Sequence, residues 1–270
     1  MLRAFLIPAF LTASLLTGCA PLRHRLGTDF DPSQLLPADA ILLGEQHDAP
    51  EHQQVHLQVV KALILRDRLA ALALEMAEQG TDTRALEKDA DEAQVRAALR
   101  WDDRAWPWAL YGPAVMAAVR EGIPVFGANL PRGEMRVSMA NAALDGLLPA
   151  DALQIQRQAI QTGHCDLLPE AQIAPMTRIQ IARDRAMAET IAAAAKRGQA
   201  VLLLAGGGHV DRVVGVPRYL PQGFKAQSVQ LQAGGKLEDA KPSPSFNAVW
   251  VTPDAPDKDH CADLRRQLGR

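Results

Sequence analysis

Two short runs of apolar residues constrain this chain more than anything else in it. Ile41-Leu42-Leu43 runs into Gly44-Glu45-Gln46-His47, and Val201-Leu202-Leu203-Leu204-Ala205 runs into Gly206-Gly207-Gly208-His209. Neither run alternates apolar with polar residues. A strand of that kind is buried on both faces, the condition of a parallel sheet covered by helices on each side. Both runs end in the spacing Gly-x-x-His, so each delivers an imidazole just past the carboxyl end of its strand. In open parallel α/β sheets that edge is where ligands bind.

The rest of the chain fills in the same alternation. After His47, Asp48 reads as a helix cap, Pro50 as an early helical proline and Glu51 as the acid three residues after the cap. A helix over 50–67 follows, with Val55, Val59 and Leu63 at three-four spacing. A second strand over 69–76 closes on Leu74-Glu75-Met76. A carboxylate at the end of a buried strand is costly unless paired or functional, and strand-end logic sets Glu75 beside Glu45 and His47. Residues 81–121 are acidic and helical, with helices expected over 83–89, 92–99 and 107–120. A third strand covers 123–129. Helices over 134–144, 151–161 and 172–196 come next, the last stopping at Lys196-Arg197-Gly198. Between the second and third of these, a loop over 163–169 carries His164. Further strands are expected over 201–205 and 224–231, with an edge strand over 247–252. Residues 234–245 and everything after Pro253 read as surface. This order predicts an α/β fold: a mainly parallel β-sheet flanked by helices, with an additional helical subdomain. One domain over 38–253, with a tail over 254–270, fits the length.

Residues 1–18 read as an export signal: Met1-Leu2-Arg3, an apolar stretch too short to span a bilayer, then Leu16-Thr17-Gly18-Cys19 in the form of a bacterial lipobox. The expected mature chain starts at an acylated Cys19, continues through a tether over 19–37 and is held on a membrane by its lipid. Alanine at position 20 points to the outer membrane. Lys and Arg total 29 against 31 Asp and Glu, which gives no reason to expect nucleic acid. The remaining cysteines, Cys165 and Cys261, would meet an oxidising compartment, where they either form a disulfide or stay a free buried pair.

Glu45, His47, Glu75 and His209 are two acids and two imidazoles placed at one sheet edge. They suit a divalent metal such as Mn or Zn with an open water position, or metal-free hydrolysis in which a histidine activates water and a glutamate orients it. His52 and His56 are four apart on the first helix, a weaker chelating pair, and Gln53 denies them the His-Glu-x-x-His signature. Trp101, Trp106, Trp108 and Tyr111 crowd together in a chain with four Trp and two Tyr. They form either a core cluster or a wall for a flat apolar ligand, with Trp108 and Tyr111 as candidate contacts. Tyr111 could ligate ferric haem as a phenolate, and His164 could reach the same pocket from its loop. Gln180, Arg183 and Asp184 either pair with one another or close the polar side of the cleft. No phosphate loop, dinucleotide fingerprint or nucleophile elbow is present.

Several of these stretches together resemble the ChaN-like family of bacterial lipoproteins, within a wider group that holds the Tiki and TraB proteins and the erythromycin esterases. They are the lipobox, Leu43-Gly44-Glu45-Gln46-His47 with Gln53, Ala73-Leu74-Glu75-Met76, Trp108-x-x-Tyr111, Gly127-Ala128-Asn129, Gly163-His164-Cys165, Gln180-x-x-Arg183-Asp184-x-x-Met187-Ala188 and Ala205-Gly206-Gly207-Gly208-His209. The likeness covers roughly residues 40 to 232. It implies an outer-membrane lipoprotein that binds haem through a tyrosine, here Tyr111, in pairs of molecules enclosing stacked haems, alongside haem-uptake machinery. His47, His209, His164 and Trp108 would complete the haem surroundings. The wider group implies a rival: a membrane-tethered protease or esterase using Glu45, His47, Glu75 and His209.

Overall fold

A computed structural model of the chain describes residues 30–235 and 244–267. The expected export signal, Cys19 and most of the expected tether lie outside the described residues. In chain order the elements are β1 (Ala40–Glu45), α1 (Pro50–Leu65), β2 (Leu69–Glu78), α2 (Glu92–Ala98), α3 (Trp108–Arg120), β3 (Val125–Asn129), α4 (Met135–Ala140), α5 (Ala150–Gly163), α6 (Glu170–Ala194), β4 (Ala200–Gly206), β5 (Ala226–Ala233), β6 (Ala248–Thr252) and α7 (His260–Gln267). The six strands form one sheet in the order β3-β2-β4-β1-β5-β6, and every neighbouring pair is parallel. Among the described residues no helix is long and apolar enough to cross a membrane.

The continuous apolar runs become the central strands, where every residue of β1 and β4 is buried. Side chains alternate across a strand, so each run feeds two cores. Ile41, Leu43, Leu72, Leu74, Leu202 and Leu204 pack against Val59 and Leu63 of α1 and Val115 and Val119 of α3. Leu42, Ala73, Val201 and Leu203 pack against Met187 and Ile191 of α6. Fully burying one such aliphatic side chain is worth roughly 1.5–3 kcal/mol, and the two layers hold the sheet from both sides. A third cluster, with Leu130, Leu144, Leu148, Ala152 and Ile181, knits α4, α5 and the first half of α6 into the helical subdomain beyond the carboxyl edge.

Local structure departs from the sequence reading in four places. Residues 83–89 are turns, not a helix, because Thr83 pairs with Val125 through backbone and hydroxyl and draws the segment alongside β3. The helix expected over 134–144 is broken after Ala140, where the Asn141 side chain accepts from the Ala143 N–H and starts a new 3-10 turn. Asp48 does not cap α1, whose cap residue is Ala49; the Asp48 carboxylate instead accepts from His260 Nε2 at 2.8 Å. The tail expected to be mere surface contains α7, tied down at that contact and by a disulfide between Cys165 and Cys261, with Cα atoms 5.6 Å apart.

Candidate functional site

The sheet order sets the site. β4 lies between β2 and β1, so Gly206 at its carboxyl end is flanked by Glu75 on one side and Glu45 on the other. Glu45 shares a face with Ile41 and Leu43 and points toward α1 and α3. Glu75 shares the opposite face with Ala71 and Ala73 and points toward α6. Both carboxylates are buried, and each is fully engaged by a different set of partners.

Around Glu45 the partners are mainly neutral. Oε1 accepts from the Tyr111 hydroxyl at 2.6 Å and from His47 Nδ1 at 2.6 Å, and Oε2 accepts from Gln53 Nε2 at 2.8 Å. His56 Nε2 lies 3.4 Å from Oε2. Burial pushes the Glu45 carboxyl up, yet the hydrogen bond from His47 and the neighbouring imidazoles hold it below the ordinary carboxylate value. Burial likewise drives His56 down toward the neutral form.

Around Glu75 the partners carry charge. Oε1 accepts from Arg183 Nη2 at 2.8 Å and faces His209 Nε2 at 3.4 Å, while Oε2 accepts from the Gly206 N–H at 2.7 Å. Asn129 completes the frame: its Nδ2 donates to the Glu75 carbonyl and its Oδ1 accepts from Arg183 Nε, both at 2.8 Å. Behind His209, Asp184 Oδ1 lies 2.5 Å from Nδ1. Against the cost of burial, His209, His47 and Arg183 hold the Glu75 carboxyl far below the usual range. Burial pulls His209 down, but Glu75 and Asp184 outweigh it and push it up to about 9; burial raises Asp184 to about 6.

His47 joins the halves. With Nδ1 on Glu45, its Nε2 is 3.8 Å from Glu75 Oε2. A Cβ on Gly206 would stand 2.9 Å from that Nε2, so a larger residue at 206 would push the imidazole aside. Its side chain is 42% exposed, and the Trp106 ring meets it edge-on with centroids 4.8 Å apart. Burial pulls the imidazole down, but the bond to Glu45 and the Glu75 charge hold it above its ordinary value. Three carboxylates (Glu45, Glu75, Asp184) thus face Arg183 and two protonatable imidazoles. Beside Glu75 a cavity of about 180 Å³ is walled by Met76, Trp106, Leu130, Arg132 and Met135.

The structure therefore brings together Glu45, His47, Glu75 and His209. Tyr111 joins them from behind: it is 1% exposed, and its hydroxyl is directed at Glu45 rather than at the cleft. Burial, then the Glu45 charge, push that phenol well above its ordinary value. Trp108 faces away, its indole N–H donating to Glu92 at 2.8 Å with Arg96 over its ring. The tryptophan at the site is Trp106, which the sequence placed in the aromatic cluster without distinguishing it. His164 stays at the end of α5, with Nδ1 donating to the Ile160 carbonyl at 2.7 Å. His52 and His56 do not converge on one point. His52 Nδ1 accepts the Gln46 N–H and its Nε2 bonds Thr252 Oγ1, and burial brings it down to about 4. Among the described residues no three His, Cys, Asp or Glu side chains form a cage for a metal ion.

Comparison with known proteins agrees with this architecture. A solved structure titled for cofacial haem binding to ChaN of Campylobacter jejuni superposes with a TM-score of 0.65 at 24% identity, over 80% of this chain and 88% of that one. Looser likenesses reach a type III effector, HopBA1 (TM-score 0.41, 15% identity, 80% of this chain and 88% of that one), and a structure described as bacterial protein toxins (0.43, 14%, 86% and 39%). No curated protein matches the sequence. The family model described as haem-binding uptake, Tiki superfamily, ChaN matches residues 32–220, from the turn before β1 to just past β4 and His209. The chain belongs to that family.

Proposed function

We propose that this protein is a haem-binding lipoprotein of haem and iron uptake, tethered to the outer membrane by acyl chains on Cys19. The observation that carries the haem reading is the family match over residues 32–220, a span containing both buried carboxylates, His47 and His209. A bound haem would supply an iron able to accept a side-chain ligand. This chain's part is to present a ligand, wall the ring and exclude water. Trp106, Met76, Leu130 and Met135 offer apolar wall beside the Glu/His cluster. The cavity there, about 180 Å³, falls below the roughly 300–1,000 Å³ that encloses a drug-sized ligand, so this cavity by itself does not enclose a porphyrin. That supports a haem-bridged pair of molecules, the arrangement that the resemblance to the ChaN-like family implies. Ferric haem titrated into the full-length chain in detergent should give a saturable absorption spectrum distinct from that of free haem. A spectrum identical to free haem overturns the proposal.

One observation favours a second reading. A half-exposed imidazole sits between two buried carboxylates, with the Gly206 N–H and Arg183 close by. That arrangement also serves a membrane-tethered hydrolase, a protease or esterase, in which His47 activates water with or without a divalent metal. Peptide or ester cleavage lost in His47→Ala and His209→Ala would establish it; no cleavage by the wild-type chain would remove it.

A further inference from the structure

We infer that the amino edge of the sheet lies on an anionic phospholipid surface, so that the Glu/His cluster at the carboxyl edge faces away from the bilayer. The inference rests on the acyl anchor at Cys19 proposed above and gives the anchored domain its orientation. All neighbouring strands are parallel, so the segments leading into them share one edge. Across the adjacent strands β2, β4, β1 and β5 those segments carry Arg66 and Arg68, then Lys196 and Arg197, then Lys225, all exposed. The acids among them are Asp39 and Asp67. The Asp39 carboxylate accepts the Lys225 N–H at 2.8 Å, and Asp67 accepts from Gln199 Nε2 at 3.0 Å. Asp31 lies 3.3 Å from Arg66. Arg68, Lys196, Arg197 and Lys225 form no ion pair among the described residues, so this stretch of edge keeps an excess of positive charge.

An apolar tip stands among these cations. Leu65, the last residue of α1 and next to Arg66, is 84% exposed, more than any other large apolar side chain among the described residues. Basic residues around an exposed leucine suit a membrane interface: the charges meet anionic headgroups and the apolar side chain enters the boundary with the acyl chains. A cavity of about 390 Å³ opens at the same edge, lined by Leu36, Pro37, Ala38 and Asp39 with Arg68 and Lys225, and offers a headgroup two cations. The chain also arrives here from its anchor. Asp31 meets Arg66, and Leu36 to Asp39 wall the cavity. The stretch from Cys19 to Phe30 spans at most about 40 Å even fully extended, so the domain stays close to the bilayer. A six-residue strand is about 20 Å long, and that length separates the Glu/His cluster from the lipid.

The test uses the full acylated chain reconstituted into vesicles, with a nitroxide label on Leu65→Cys. With Cys19 acylated and Cys165 bonded to Cys261, the introduced thiol is the one that reacts. A second label, on Val137→Cys, reports the helical subdomain beyond the carboxyl edge, where that side chain is 70% exposed. On phosphatidylcholine vesicles containing phosphatidylglycerol, the label at 65 should lose access to an aqueous nickel complex and gain access to oxygen, while the label at 137 stays aqueous. The shielding at 65 should be lost on pure phosphatidylcholine, at about 1 M salt, where the screening length is about 3 Å, and in Arg68→Glu combined with Lys225→Glu. Both charge reversals are on exposed side chains and leave the core untouched. A label at 65 that is equally aqueous on both kinds of vesicle overturns the inference, and so does shielding at 137 instead of 65. A chain that separates from the vesicles on flotation removes the anchor reading itself, and this inference with it.

Discussion

Glu45 and Glu75 are one problem solved twice. Both are carboxylates at the carboxyl edge of the same sheet, both are almost wholly buried, and they flank the same glycine. On the α1/α3 side Glu45 is held by a phenol, an amide and the N–H of an imidazole, with no arginine or lysine against it. On the α6 side Glu75 is held by charge, with Arg183 and the protonated His209 against it and Asp184 behind. A buried charge must be matched by hydrogen bonds, by counter-charge or by both. The difference shows in how each half should fail. Remove a neutral donor and the carboxylate loses one of several; remove a counter-charge and it is left as an uncompensated ion in a dry place.

The largest effect should follow from Arg183→Ala. Breaking a buried ion pair by deleting one partner costs about 3–5 kcal/mol, and Arg183 also supports Asn129. Chemical denaturation should show the unfolding free energy falling by that much. If Arg183→Ala costs under about 1 kcal/mol, His209 alone balances Glu75 and the description of the α6 half is wrong.

The two halves should also differ in their response to pH, because the α6 half carries the imidazole raised furthest. His209 is raised to about 9 from an unfolded value near 6.5. A raised imidazole lends stability that is fully present below about pH 6.5 and is lost as pH rises through about 9. The lowered Glu75 lends stability that is present above its unfolded value near 4.3 and is lost only as pH falls through its folded one. Asp184, raised to about 6, takes stability away as pH rises from about 4 through about 6, so the decline that reports His209 is the one above about pH 6.5. Between pH 6.5 and 9.5 the wild type should lose up to about 3 kcal/mol, and the loss should flatten in His209→Gln. An equally steep decline in that variant would place the titration elsewhere.

How much of this was legible in the sequence follows from the length scale of each feature. The parallel sheet was, because a run such as Val201–Leu204 with no polar interruption has few other places to go. The meeting of Glu45, His47, Glu75 and His209 was, because strand ends in a parallel sheet share an edge. What strand-end logic cannot see is which face each side chain takes. That depends on register, and register put Glu45 with Tyr111 and Glu75 with Arg183. Nor does it see depth. Tyr111 reads as an aromatic at a ligand wall until α3 packs on α1 and buries it, and Trp106, two residues before that helix starts, takes the wall instead. The helix α7 was invisible because its sequence is polar; Cys261 to Cys165 and His260 to Asp48 tie it to the rest of the chain.

On the α1/α3 side the matching experiment is Tyr111→Phe. It removes one donor to a charged acceptor, worth about 1.5–3 kcal/mol, and leaves Gln53 and His47 in place. The measured loss should fall below that of Arg183→Ala by denaturation under the same conditions. Equal losses would mean that Glu45, too, depends on a single partner, and the contrast between the two carboxylates would collapse.

The smallest effect concerns the residue both halves share. Trp106→Leu removes an edge-on ring from His47, and an aromatic pair of that kind contributes about 0.5–1.5 kcal/mol beyond its buried area. Because the contact lies at the open edge, the change in global stability should sit at the low end of that range. The informative readout is His47 itself, followed by the proton resonances of its ring across a pH titration. In the wild type, pulls from Glu45 and Glu75 hold the imidazole above its ordinary value. Without the indole wall, water reaches the ring and weakens both attractions, so the titration midpoint should fall back toward about 6.5. A midpoint that stays raised would show that the two carboxylates fix His47 without help from the aromatic cluster. The cluster would then face the ligand alone, and His47 would belong wholly to the sheet edge.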